Sequence, residues 1–182
     1  MSLDLAVLEA IGRHRTGWTD AAARGLMDAG QPAGTYVLAA VTALAFAWAC
    51  RAWRAVAAAM VSSVVATLLA EWLKEVIGRP RPPAALAIVP ADGPAFPSSI
   101  GALTAGAAVP LVLWGLRRAD RTGRAVAALL VAGTLAVGVS MVYLGAHWVS
   151  DVLAGWVLGG VVGVVAHRVS RWTPGRRTAT AR

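Results

Sequence analysis

Long apolar runs separated by short charged breaks organise this chain. Residues 33–50, 55–77, 98–116, 125–143 and 148–168 are each built mainly from Ala, Val, Leu and Gly. Each comes close to or reaches the roughly 17–25 residues that a helix needs to cross a bilayer. Residues 3–28 differ. Leu3, Leu5, Ala6, Leu8 and Ile11, then Ala22, Leu26 and Met27, recur among charges at helix-like spacing. That pattern predicts one or two amphipathic helices, either lying in the membrane interface or capping a bundle. Residues 173–182 have nothing to bury and are expected to form a disordered basic tail. The chain therefore divides into an interfacial region (1–30), a helical bundle (31–172) and a tail (173–182), with no internal repeat.

Composition sharpens this into a fold class. The chain is 58% hydrophobic and 14% charged, whereas soluble domains are about a quarter charged. Mean hydropathy is +0.64. The expected class is an all-α integral membrane protein of about five transmembrane helices with an N-terminal interfacial amphipathic helix. No cleavable signal sequence is expected, because the first thirty residues hold seven charges and no continuous apolar core. The single cysteine, Cys50, rules out an internal disulfide framework or a Cys-rich metal site.

The net charge of +8 invites a nucleic-acid reading, but its distribution argues against one. Arg51 and Arg54, then Arg117, Arg118, Arg121 and Arg124, then Arg168, Arg171, Arg176, Arg177 and Arg182 all follow the first, third and fifth apolar runs. Positive-inside topology makes those ends cytoplasmic. The 78–97 loop and the 144–147 turn then face the extracytoplasmic side of a bacterial-type plasma membrane, and the C-terminus faces the cytoplasm.

Three segments on that outer side carry candidate chemistry. Lys74 through Arg79-Pro80-Arg81-Pro82-Pro83 leaves the second span. Clustered cations on a proline-stiffened exit form an anion clamp; the plain alternative is snorkelling by long side chains. Phe96-Pro97-Ser98-Ser99-Ile100-Gly101 opens the third span. Ser98 reads as an N-cap, and the free N–H groups after it make a phosphate cradle, or a cap and nothing more. His147 and Asp151 stand four apart, a spacing that puts both on one face of a helix. The carboxylate can hold the imidazole in one tautomer, although a histidine merely satisfied at a helix start has the same sequence. Together the three suit phosphoryl transfer through a phosphohistidine, with no metal or other cofactor.

Here the chain resembles the type 2 phosphatidic acid phosphatases, the membrane branch of the superfamily shared with vanadium haloperoxidases. That family carries Lys-x6-Arg-Pro, Pro-Ser-Gly-His and Ser-Arg-x5-His-x3-Asp. The first pattern stands as Lys74 through Arg81-Pro82, the second as Pro97-Ser98-Ser99-Ile100, and the third as Ser140-Met141, then His147 and Asp151. The resemblance implies His147 as nucleophile and Asp151 as its orienting partner. It implies phosphate binding by Lys74, Arg81, Ser98 and Ser99, and Arg79 is a candidate to replace lost positive charge.

Two family positions are substituted. Ile100 stands where the leaving-group acid is expected, and Met141 where a phosphate-binding arginine is expected. A lost general acid typically costs about 10²–10⁴-fold. The loss weighs most on a basic alkoxide leaving group and least on a phosphate leaving from a diphosphate. The resemblance therefore implies a lipid phosphate or prenyl diphosphate substrate, hydrolysed by a lipid (di)phosphate phosphatase that favours diphosphates. The alternatives are an inactive relative that binds a lipid phosphate or a partner protein, and a repurposed prenyl-diphosphate transferase or cyclase. The oligomeric state is not fixed by the sequence.

The topology is testable in intact cells. In a Cys50→Ala background, Ala91→Cys should react with an impermeant thiol reagent and Ala179→Cys should not. Labelling at position 179 contradicts the assignment.

Overall fold

The computed structural model describes residues 3–28, 33–118 and 120–172, with side chains described from residue 38 onward in the second stretch. The 173–182 tail lies outside the described residues, as does the boundary between the first two segments. Among the described residues there is no strand. The helices are α1 (Leu3–Arg13), α2 (Gly17–Asp28), α3 (Ala33–Cys50), α4 (Trp53–Ile77), α5 (Ser99–Arg118), α6 (Arg121–Tyr143) and α7 (Val149–Arg171), with one 3-10 turn at Ala84–Leu86. Helices α4 to α7 are long and apolar enough to cross a membrane. The 18-residue α3 packs beside α4 as the fifth apolar helix. Helices α4, α6 and α7 run a few residues past the apolar limits read from sequence. A helix continues through its interfacial turn, where Arg54, Arg121 and Arg171 keep their charges outside the apolar layer.

Helix α5 is the hub, packing against α4, α6 and α7. Its buried face is Gly101, Ala102, Ala105, Gly106 and Ala108. Small residues let backbones approach where lipid supplies no hydrophobic drive. Gly155 of α7 lies so close to the Ser98 carbonyl that a Cβ there would collide with it, which sets the start of α7 directly against the start of α5. Pro110 lacks the N–H that would bond the Gly106 carbonyl. The Ser62 hydroxyl of α4 donates to that carbonyl instead, at 2.7 Å, so the freed acceptor is satisfied inside the bundle.

One end of the bundle is closed by loops and by the N-terminal helices. Helix α4 stops at Gly78, which adopts a left-handed C-cap and donates to the Lys74 carbonyl. The loop that follows is tied down by Ala95 N–H to the Arg79 carbonyl at 2.8 Å and Ile88 N–H to the Leu144 carbonyl at 3.0 Å. Gly145 turns the chain between α6 and α7 at φ 74°, and a Cβ on it would stand 2.7 Å from Ala87 Cα. Only glycine takes that φ without strain and also admits the neighbouring loop. Helices α1 and α2 dock on the same end. Leu8 is fully buried and packs with Met141, Val142 and Val152. Arg15 donates to the Leu86 and Tyr143 carbonyls, and the Tyr143 hydroxyl donates to Asp20. The amphipathic N-terminal helices are thus anchored to the bundle by both apolar and polar contacts.

Candidate active site

The Gly145 turn delivers His147 just before α7. His147 is not on the helix, so the one-face reading of its spacing with Asp151 does not hold. Trp148 is the N-cap and Asp151 is in the first turn, where its Oδ2 accepts the Trp148 N–H at 2.9 Å. The two side chains meet all the same. His147 Nδ1 lies 3.4 Å from Asp151 Oδ2, an ion-pair distance without a well-formed hydrogen bond. On the other side of the ring, Nε2 lies 3.4 Å from Arg81 Nη1. Arg81 is held by its own bonds to the Ala146, Asp92 and Gly93 carbonyls.

Asp151 is fully buried, and an unpaired carboxylate there would cost several kcal/mol. Arg79 supplies the compensation. Its Nη1 donates to Asp151 Oδ1 at 2.7 Å and to Ser150 Oγ, and its Nη2 donates to Asp4 Oδ2 at 2.8 Å. The guanidinium also stands over the rings of Trp148 and Phe96, 5.5 and 5.9 Å from their centroids. Asp4, from α1, accepts the Ser150 N–H and hydroxyl as well. Burial raises the Asp4 pKa, but the hydrogen bonds from Ser150 and Arg79 outweigh it, and the carboxyl sits below its ordinary value. Arg79 was expected among the phosphate ligands. Both its terminal nitrogens are instead committed to carboxylates and Ser150, so it supports Asp151.

Ser98 is the N-cap that its place in the sequence suggested. It is fully buried and caps α5, its Oγ accepting the Gly101 N–H at 3.2 Å. Its N–H bonds the Asp151 carbonyl at 2.9 Å, and its hydroxyl points toward Met141 Sδ at 3.7 Å. Ser98 is therefore a cap that ties α5 to α7, with its hydroxyl directed at a weak acceptor. The N–H groups without an acceptor among the described residues are those of Ser99 and Ile100, the next two in the helix. The Ser99 hydroxyl accepts from Lys74 Nζ at 2.8 Å, and Lys74, itself buried, also pairs with Glu71 at 3.1 Å. Ile100 is 39% exposed on the first turn of α5, while Met141 is buried against Ser98.

The charges act together on the histidine. Burial pushes the His147 pKa down, the contact with Asp151 pulls it back, and Arg81 and Lys74 push it down again. The net shift is below the ordinary value, so the ring favours its neutral form, with the Nε2 lone pair facing the Arg81 guanidinium.

Sequence reasoning missed Asp4, Ser150, Glu71 and Trp148. Glu71 was findable three residues before Lys74 on a helix. Asp4 was not, since 146 residues separate it from Ser150.

The fold and this cluster define an integral membrane helical bundle with a buried histidine, carboxylate and arginine assembly at one end. The family model described as PAP2 superfamily matches residues 51–174, and the chain belongs to that family. The structure is similar to that of the first transmembrane PAP2 type phosphatidylglycerolphosphate phosphatase from Bacillus subtilis, with 25% identity over 91% of this chain and 83% of that one (TM-score 0.77). It is also similar to LpxE from Aquifex aeolicus, with 23% identity over 92% of this chain and 96% of that one (TM-score 0.73). No curated protein matches the chain.

Removing one member of a buried pair leaves an uncompensated charge. Arg79→Ala should therefore lower stability by about 3 kcal/mol. Asp4→Ala, which keeps the pair of Arg79 with Asp151, should cost only about 1 kcal/mol. Denaturant unfolding in mixed detergent compares them, and equal losses would contradict this hierarchy.

Proposed function

We propose that the chain is a membrane lipid phosphate phosphatase acting through a phosphohistidine on His147. The observation that carries this is the placement of the ring, with Nδ1 against Asp151 and Nε2 against Arg81. Nε2 attacks the terminal phosphorus of a lipid diphosphate, the bond from that phosphorus to the bridging oxygen breaks, the lipid monophosphate leaves, and Asp151 holds the Nδ1 proton and stabilises the charged ring. Water then cleaves the bond between nitrogen and phosphorus, which regenerates the imidazole. Arg81, Lys74 and the free N–H groups of Ser99 and Ile100 oppose the charge that builds on the phosphoryl oxygens. Side chains and backbone amides supply this stabilisation, and vanadate, which mimics the transferred group, is the expected inhibitor.

The substrate class follows from the relatives and from Ile100. The Bacillus subtilis relative is named as a transmembrane PAP2 type phosphatidylglycerolphosphate phosphatase, an enzyme acting on a lipid phosphate. No side chain able to protonate a leaving alkoxide stands at position 100, so a polyprenyl or lipid diphosphate, which releases phosphate, is the favoured substrate. The site opens on the extracytoplasmic face. A second reading, a relative that binds a lipid phosphate without turning it over, is favoured by Met141, whose side chain occupies the contact with Ser98.

Two measurements test the proposal. Ile100→His, at an exposed position, should raise lipid monophosphate hydrolysis by about 10²–10⁴-fold and diphosphate hydrolysis much less. His147→Ala in that background should abolish both. Flat turnover in a folded Ile100→His protein, with lipid phosphate still bound, would favour the non-hydrolytic reading.

The pH dependence has a definite sign. The histidine pKa lies below its ordinary 6.5, so the neutral nucleophile persists to lower pH. The acid limb of kcat/KM, corrected for substrate titration, should fall below that value. A limb above it would contradict the assigned environment.

A further inference from the structure

At the end of the bundle opposite His147 lies a second concave site, a cavity of about 580 Å³. The hinge between α3 and α4 and the last turns of α5 and α7 enclose it, and no carboxylate is among its lining residues. Five arginines border it: Arg51, Arg54, Arg117, Arg118 and Arg171. Arg118 is neutralised by Asp120 at 2.8 Å and stacked on Trp114. The other four have no ion pair among the described residues.

Two further features converge there. Helix α4 starts at the cavity without a capping side chain: Ala52 is its N-cap. The N–H groups of Trp53, Arg54 and Ala55 find no acceptor among the described residues, and the first bonded one is Val56 N–H to the Ala52 carbonyl. The second feature is His167. It is only 5% exposed, it borders the cavity, and neither ring nitrogen completes a well-formed hydrogen bond among the described residues. Buried polar groups are almost always partnered. Arg51, on the lip, holds φ at 51°, a left-handed conformation that non-glycine residues rarely take.

Positive-inside topology accounts for arginines at this end. It does not account for their convergence on one cavity, or for an uncapped helix start opening on it beside a buried histidine whose ring contact, with the Pro110 carbonyl, is not a well-formed hydrogen bond. We propose that this cavity is an anion-binding site for a phosphate-bearing group, distinct from the site around His147. The α4 N-terminus and the guanidinium groups of Arg54 and Arg117 hold its oxygens, and His167 forms part of the wall behind it. The phosphate belongs either to an anionic lipid headgroup or to a soluble phosphoanion.

Arginine footprinting of the unaltered chain in nanodiscs separates these sources. Phenylglyoxal modification of Arg54 and Arg117 is read by peptide mass. One arm adds methylenediphosphonate to phosphatidylcholine nanodiscs. The other replaces part of the phosphatidylcholine by phosphatidylglycerol. Modification should slow by about tenfold in at least one arm. Slowing in the first arm identifies a soluble anion, and slowing only in the second identifies a headgroup. No slowing in either arm overturns the proposal. So does equal slowing at Arg168, which does not line the cavity, since that marks a diffuse surface effect.

Discussion

A carboxylate with no access to water, that of Asp151, is the constraint around which one end of this molecule is arranged. Burying a bare carboxylate is prohibitive, so every element near it contributes a partner. The Trp148 N–H takes Oδ2, and the loop after α4 brings Arg79 to Oδ1. Helix α1 then brings Asp4 to the far side of Arg79. Even the carbonyl of Asp151 is used, accepting the Ser98 N–H and so joining the starts of α5 and α7. His147 is positioned as a by-product of this assembly, with Asp151 on one edge of its ring and Arg81 on the other.

The same assembly sets the electrostatics available to a ligand. Lys74, Arg79 and Arg81 stand among Asp4, Glu71 and Asp151, so cations and carboxylates nearly cancel. Met141 is buried beside them, and its sulfur leaves the Ser98 hydroxyl pointing at a weak acceptor. The free positive potential is concentrated on Arg81, Lys74 and the first N–H groups of α5.

Much of this was legible in the residues. Spans could be read because lipid imposes one requirement, an unbroken apolar helix, which α4 to α7 meet, with α3 as a further apolar helix. Lys74, Arg81, His147 and Asp151 were expected near one another because their spacing is joint and ordered, and the structure gathers them at one end of the bundle. Arg79 and Ser98 were expected to meet a phosphate, and in the structure Arg79 donates to Asp151, Asp4 and Ser150 while Ser98 caps α5. A guanidinium or a hydroxyl has the same appearance in sequence whether it meets a phosphate or a buried carboxylate. Asp4 left no local trace, since its partners lie at the other end of the chain. The basic cavity was hidden for a different reason: topology already explained its arginines, so their convergence carried no separate signal.

Among the described residues, the bond from Asp4 to Ser150 links α1 to α7 across almost the whole sequence. Through Arg79, which touches both carboxylates, the α1 carboxylate becomes part of the surroundings of Asp151 and so of the His147 ring. A change confined to the N-terminal helix is therefore felt at the histidine, even though α1 contributes no atom to the ring's own contacts.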